Sequence, residues 1–293
     1  MNLALTVLEI TAPVFLLAAT GFAWVKLGFE YRMEFVTRFA MKLAVPCLIF
    51  TALMKTEIAP AALTALSLAA FLAYAALALV AFLALKLLKL DQRTYLNPLI
   101  FGNTGNLGLP LALFAFGETG LSYAVVVFAV MAIGSFTFGV YVVAGGGNPI
   151  KAVKEPLVGA TALGALFLAQ GWQTPAFLTN ALDLIGQMAI PMMLITLGVA
   201  VARLKPQHLG RAAALSLVKL VLSVAIGYGT GRALGLEDVA LAVLTMQIAT
   251  PVAVTSYMLA AAYGADDDAV AGLVVASTLI SVAAFPLLLA VLL

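Results

Sequence analysis

Two stretches hold the residue types best suited to chemistry. Residues 102–110 read GNTGNLGLP and residues 247–256 read QIATPVAVTS, each set inside long apolar sequence. Glycine, proline and asparagine are poor helix material, so each stretch predicts an interruption within a membrane-crossing helix. Unpaired backbone groups are tolerated at membrane depth only where protein or a water-filled cavity surrounds them. A helix restarting there offers N–H groups without intrahelical partners and roughly half a positive charge from its aligned peptide dipoles. Two such ends facing one pocket favour an anion, most simply a carboxylate. The expected substrate-binding set is Asn103, Thr104, Gly105, Asn106, Gln247, Thr250, Pro251, Thr255 and Ser256, with Gly102, Gly108 and Pro110 breaking the helix. Threonine followed by proline at 250–251 reads as an N-cap and first turn, so the second interruption is expected to restart there. A phosphate-binding loop is excluded, because no Gly-Lys-Ser/Thr follows the glycines.

The elements that position these residues follow from composition. The chain is 64% hydrophobic and 10% charged, too little charge to cover a soluble domain of 293 residues. Its apolar runs are long enough to cross a hydrocarbon layer of ~30 Å. Charge clusters, glycines and prolines divide it into ten spans, near 4–26, 33–54, 61–86, 94–117, 120–144, 156–171, 176–202, 209–232, 239–263 and 269–291. The expected class is an all-α membrane protein, interrupted in spans 4 and 9. The N-terminus MNLALTVLEI has no basic region and reads as a retained first helix rather than a signal peptide. The single cysteine, Cys47, excludes an intramolecular disulfide. Basic clusters suited to nucleic acid are absent, and no cofactor or metal is implied.

Orientation follows from lysine and arginine in the loops. Lys26, Arg32, Arg38, Lys86, Lys89, Arg93, Lys151, Lys154, Arg203, Lys205 and Arg211 fall on one side, against Lys55 and Arg232 on the other. The first side is expected to be cytoplasmic, with both termini outside. Trp24 and Trp172 sit near opposite span ends and suit interfacial anchoring.

An internal repeat is visible. AVPCLIF at 44–50 resembles AIPMMLI at 189–195, AFGETG at 115–120 resembles AYGADD at 262–267, and Phe138 falls opposite Phe285. The offsets are 145 and 147 residues, so residues 1–144 and 156–293 read as two five-span copies joined by a linker at 145–155. An odd number of spans per copy inverts the second copy, an arrangement common in secondary transporters. The offset of 147 places Asn103 and Thr104 opposite Thr250 and Pro251, so both copies break the corresponding helix.

Charges inside spans carry further expectations. Lys219 lies about ten residues into the eighth span, about 15 Å at helical rise, too deep for snorkelling. An intramembrane lysine is costly and points to function. It can pair with a substrate carboxylate or carry a proton; the structural alternative is a helix carbonyl or an acidic partner such as Asp183. Glu9 and Glu118 fall near external span ends and are expected to be hydrated, as is the loop residue His208. Gly227, Gly231 and Gly235, spaced in fours, suit close helix packing.

These residues resemble the auxin efflux carrier family, which includes plant PIN auxin exporters and bacterial carriers of malonate, malate and related acids. The resemblance rests on APVFLLAATGFAWVKLG at 12–28, FAMKLAVPCLIFTAL at 39–53, FGNTGNLGLPLALFAFG at 101–117, LIGQMAIPMMLITLG at 184–198 and ATPVAVTSYMLAAAYG at 249–264. It implies a ten-helix fold shared in outline with sodium–bile acid symporters. Spans 1, 2, 6 and 7 would form a scaffold, and spans 3–5 and 8–10 a transport domain moving as an elevator. Helices 4 and 9 would cross at their breaks, with substrate beside the crossing. The resemblance further implies proton or sodium coupling, a homodimer, and a bacterial inner membrane. Met246–Val254 contains Gln247 but no carboxylate, which departs from the sodium sites of bile acid symporters.

Three functions compete. The first is secondary active transport of an organic carboxylate. The second is a passive anion channel using the same dipoles, or a sodium-coupled symporter of the bile acid type. The third, a membrane enzyme, lacks a nucleophile with its base or a carboxylate pair at depth.

Overall fold

The computed structural model describes residues 3–146, 156–204 and 209–293. Most of the expected linker, together with Lys151, Lys154, Lys205 and His208, lies outside the described residues. The described residues are almost wholly helical. In chain order they form α1 (Leu3–Lys26), α2 (Met33–Lys55), α3 (Pro60–Leu87), α4 (Gln92–Ile100), α5 (Thr104–Val143), α6 (Pro156–Gln170), α7 (Ala176–Arg203), α8 (Leu209–Ala233), α9 (Asp238–Ile248), α10 (Val254–Tyr263) and α11 (Asp267–Leu292).

Seven of these helices are long and apolar enough to cross a membrane: α1, α2, α3, α5, α7, α8 and α11. Ten spans were expected, and the difference has a local cause. The fourth and ninth expected spans are each split into short pieces, and the sixth has only the 15 residues of α6. Residues 104–143 also run as one helical stretch of 40 residues, although Gly117 leaves helical geometry within it at φ 62. Gly264, at the repeat-equivalent position, takes φ 66 and closes α10. Both glycines thus supply the left-handed backbone that other residues avoid.

Local chemistry fixes several ends. Asp91 caps α4 by accepting from the Thr94 N–H at 2.9 Å, and Asp266 caps α11 through the Ala269 N–H at 2.9 Å. Each satisfies a donor that the first helical turn cannot. The loop before α2 is tied to the end of α7: Tyr31 shares a 2.7 Å hydrogen bond with Thr196, and Arg203 donates to the Tyr31 carbonyl at 2.7 Å. Burial raises the Tyr31 phenol above its usual pKa, opposed by Thr196 and Arg203.

Packing divides the helices into two groups. Helix α1 lies chiefly along α7, and α2 lies against α6 and α7. Helices α3, α4, α5, α8, α9, α10 and α11 pack mainly on one another. The α1–α7 contact is very close: a Cβ on Gly21 would collide with the Ile195 carbonyl, and one on Gly198 with the Ala18 carbonyl. Apolar helices gain no hydrophobic drive from associating in lipid, so small residues that let backbones approach supply the attraction. Gly227 and Gly231 also face neighbours, Thr245 and Leu241 respectively. Gly235 does not serve packing as expected; it has φ 65 and open space around its Cβ position, beyond the end of α8.

Candidate functional site at the paired helix interruptions

The first interruption lies between α4 and α5. Phe101 is extended at φ −95, ψ 114, and Asn103 at φ −82, ψ 52 precedes a π-helical turn over Thr104–Gly108. The Asn103 carbonyl accepts from the Leu107 and Gly108 N–H groups at 3.1 and 3.3 Å, so the helix restarts at once. Pro110 falls inside the first turns of that restarted helix rather than in the gap.

The second interruption lies between α9 and α10, and it corrects one sequence expectation. Thr250 does not cap the restarting helix. Its hydroxyl donates backward to the Gln247 carbonyl at 2.7 Å and its N–H reaches the same oxygen at 3.3 Å, so it closes α9. The restart comes at Val254, with Ala253 extended at φ −71, ψ 140. Proline at 251 has no N–H to continue α9 and favours extended backbone at the residue before it.

The two interruptions meet. Gly102 and Val252 form an isolated antiparallel bridge, in which the Asn103 N–H donates to the Pro251 carbonyl at 2.7 Å. The Val252 N–H donates to Ser277 Oγ of α11 at 2.9 Å. Glycine is required where the backbones touch: a Cβ on Gly102 would strike Thr250 Oγ1 and lie 2.8 Å from the Thr250 carbonyl oxygen. A Cβ on Gly108 would strike the Gln247 amide, and one on Gly105 would lie 2.8 Å from Met193 Cε.

Most of the expected site residues converge here. Asn103, Thr104, Gly105, Gln247, Thr250, Pro251 and Ser256 are buried around the bridge, and Asn106 and Thr255 are half-buried. Several have no hydrogen-bond partner among the described residues: Asn103 Nδ2, Thr104 Oγ1, and both amide atoms of Gln247. Gln247 is fully enclosed at 0% exposure and Asn103 is 5% exposed. Buried polar groups left unpaired cost about 1–3 kcal/mol each. Such groups, gathered where α5 restarts and α9 ends, suit a ligand that both accepts and donates hydrogen bonds.

Lys219 of α8 reaches the same region at 3% exposure. Its Nζ donates to the Thr250 carbonyl at 2.7 Å. Of the two structural partners anticipated for it, the helix carbonyl is the one found. Asp183 lies elsewhere, ion-paired with Lys55. Asp183 and Lys55 face a cavity of about 970 Å³ lined also by Thr51, Glu118, Tyr123 and Glu237. That cavity does not include the bridge residues, and Tyr123 donates to Glu237 at its wall. Glu9 and Glu118 are exposed on the surface of the chain.

Sequence reasoning missed Asn97. It lies in α4, one turn before the interruption, and its Nδ2 donates to Ser256 Oγ at 3.1 Å. This bond ties the first half of one broken helix to the start of the second half of the other. Its Oδ1 has no hydrogen-bond partner among the described residues and would be struck by a Cβ on Gly139. An asparagine beside Pro98 in an apolar run was the available signal.

A search of curated proteins finds no match to the chain. The sequence pattern of the family described as "Membrane transport protein" matches residues 6–152 and 142–289, together nearly the whole chain. With its apolar helices, this makes it an integral membrane protein of a transporter family. The chain belongs to that family, the auxin efflux carrier family.

Proposed function

We propose that this chain is a secondary active transporter that moves an organic carboxylate anion by alternating access, holding it where the two interrupted helices cross. One observation carries the reading: the interruptions pair through Gly102–Val252 beside buried, unpartnered Asn103, Thr104 and Gln247. The restarting ends of α5 and α10 add N–H groups and positive dipole ends to those side chains. A carboxylate accepts from both.

The broken helices would each count as one span, giving ten spans in two inverted copies. Three features support this. The interruptions are spaced as the repeat requires, Gly117 and Gly264 share left-handed φ values, and the family match falls in two stretches that overlap near residues 142–152. The first packing group, α1, α2, α6 and α7, would be the scaffold. The remaining helices would move as an elevator and carry the crossing with them. With the lysine- and arginine-rich loops in the cytoplasm, the 970 Å³ cavity beside Lys55 and Glu237 opens to the outside. Both termini are then external, in a bacterial inner membrane.

The test is counterflow in proteoliposomes with a panel of mono- and dicarboxylates, with and without sodium at two pH values. Saturable counterflow of at least one acid, lost in Asn103→Ala and Gln247→Leu, is the expected result. Ohmic anion conductance without counterflow would replace the carrier by a channel.

A further inference from the structure

The end of α9 is built like a cation site, and its occupant is a side chain. A helix C-terminus leaves carbonyls without intrahelical partners and bears the negative end of the dipole. Here the Thr250 N–H and hydroxyl both turn back to Gln247, while Pro251 has no N–H to offer. The Thr250 carbonyl is therefore directed away from the helix, and Lys219 Nζ takes it at 2.7 Å. Beside the Lys219 side chain is a void of about 10 Å³ whose wall combines Ser216, Thr250, Ser277 and Ser281 with the apolar Leu220, Ala249, Pro251 and Ile280, and holds no carboxylate. Ser216 Oγ is buried at 2% exposure and has no partner among the described residues. Ser281 uses its proton on the Thr278 carbonyl at 2.6 Å, which leaves its oxygen able to accept, whereas Ser277 donates to the Val274 carbonyl at 3.3 Å and already accepts the Val252 N–H at 2.9 Å.

Neutral oxygens gathered at a helix C-terminus are the donor set that hard cations take. With the lysine in place, the void is about the size of a single water-probe sphere. Tyr74 of α3, which lies 145 residues before Lys219, is buried against Phe101 at the first interruption with ring centroids 5.8 Å apart. One interruption thus has a buried lysine beside it and the other a buried phenol.

We propose that the pocket at the end of α9 is a monovalent-cation site filled by the Lys219 side chain, so that no metal cation binds there during transport. The proposal rests on reading the interruptions as the transport site. Lys219 acts through the backbone it holds, which makes it a positioning residue. Shortening it should expose the vacated site to small cations.

The experiment uses purified full-length protein in detergent, without any carboxylate, and reads thermal unfolding in sodium, ethylammonium and choline chloride at equal ionic strength. Wild type should unfold at the same temperature in all three. Lys219→Ala should gain about 3 °C in sodium or ethylammonium over choline, the size expected for a ligand at about ten times its Kd. Lys219→Gln keeps most of the bulk and a donor, so it folds even if the alanine variant does not, and the same selective rise is expected in it. A rise in either variant supports the proposal. Folded variants that cannot tell sodium or ethylammonium from choline, or a wild type that responds as they do, overturn it. Because no anion is present, either result leaves the carboxylate site to be judged separately by counterflow.

Discussion

Replacing Gly102 by alanine inserts a methyl group where the two interruptions touch. The new Cβ would overlap the Thr250 hydroxyl and lie 2.8 Å from the Thr250 carbonyl oxygen. Neither atom can yield easily: the hydroxyl is bonded to Gln247 and the carbonyl to Lys219. The backbones must therefore separate. Overpacking a buried position costs about 1–3 kcal/mol, and weakening the Asn103 N–H to Pro251 bond adds about 1 kcal/mol. A loss of about 3 kcal/mol corresponds to a fall of roughly 6–12 °C in unfolding temperature. Gly159→Ala is the control, since nothing lies within 4 Å of its Cβ position in α6. It should be neutral or slightly stabilising, by up to about 1 kcal/mol from helix propensity. The assay is thermal unfolding in detergent, paired with counterflow of whichever carboxylate the wild type carries. A Gly102→Ala protein that unfolds and transports like wild type would refute the claim that the interruptions are in contact.

Other variants separate binding from architecture. Asn103→Ala removes an unpartnered amide while leaving the backbone bridge, so stability should stay within about 1 kcal/mol while carboxylate affinity falls about 10–100-fold, the worth of a hydrogen bond to a charged group; isothermal titration checks this. Asn97→Ala breaks the bond to Ser256 and should lower stability by about 1–2 kcal/mol, read by thermal unfolding, with a matching loss of counterflow. Asp183→Asn removes a pair whose partners are 47% and 25% exposed, so unfolding should shift by well under 1 kcal/mol, while the salt dependence of uptake through the adjacent cavity should change. Gly198→Leu should prevent folding, because α1 could no longer approach α7; monodisperse protein on gel filtration would contradict that.

The membrane class and both interruptions were legible because they depend on composition and on residues that cannot continue a helix. Gly102 lies in the first gap, as expected of a helix breaker, whereas Gly108 lies inside the restarting helical turn, where its lack of a Cβ makes room for the Gln247 amide. What failed depended on which of several available local or distant partners a residue took. The hydroxyl of Thr250 has an acceptor within its own preceding turn, so a start signal became a stop. Gly235 continued a four-residue spacing into a turn. Phe138 and Phe285 matched in sequence but not in surroundings, at 44% and 0% exposure. The Lys55–Asp183 and Tyr123–Glu237 pairs join residues more than 100 positions apart, and no local pattern marks them.

The most direct test is the position of the anion itself. Rotational-echo NMR on protein reconstituted in lipid, with a ¹³C-carboxylate ligand chosen from the counterflow panel and ¹⁵N amides at 104–106 and 254–255, reports the separation. A carboxylate bound by these N–H groups places its carbon about 3–4 Å from nitrogens on both helices. Coupling to neither helix, while the acid remains bound, would contradict the account.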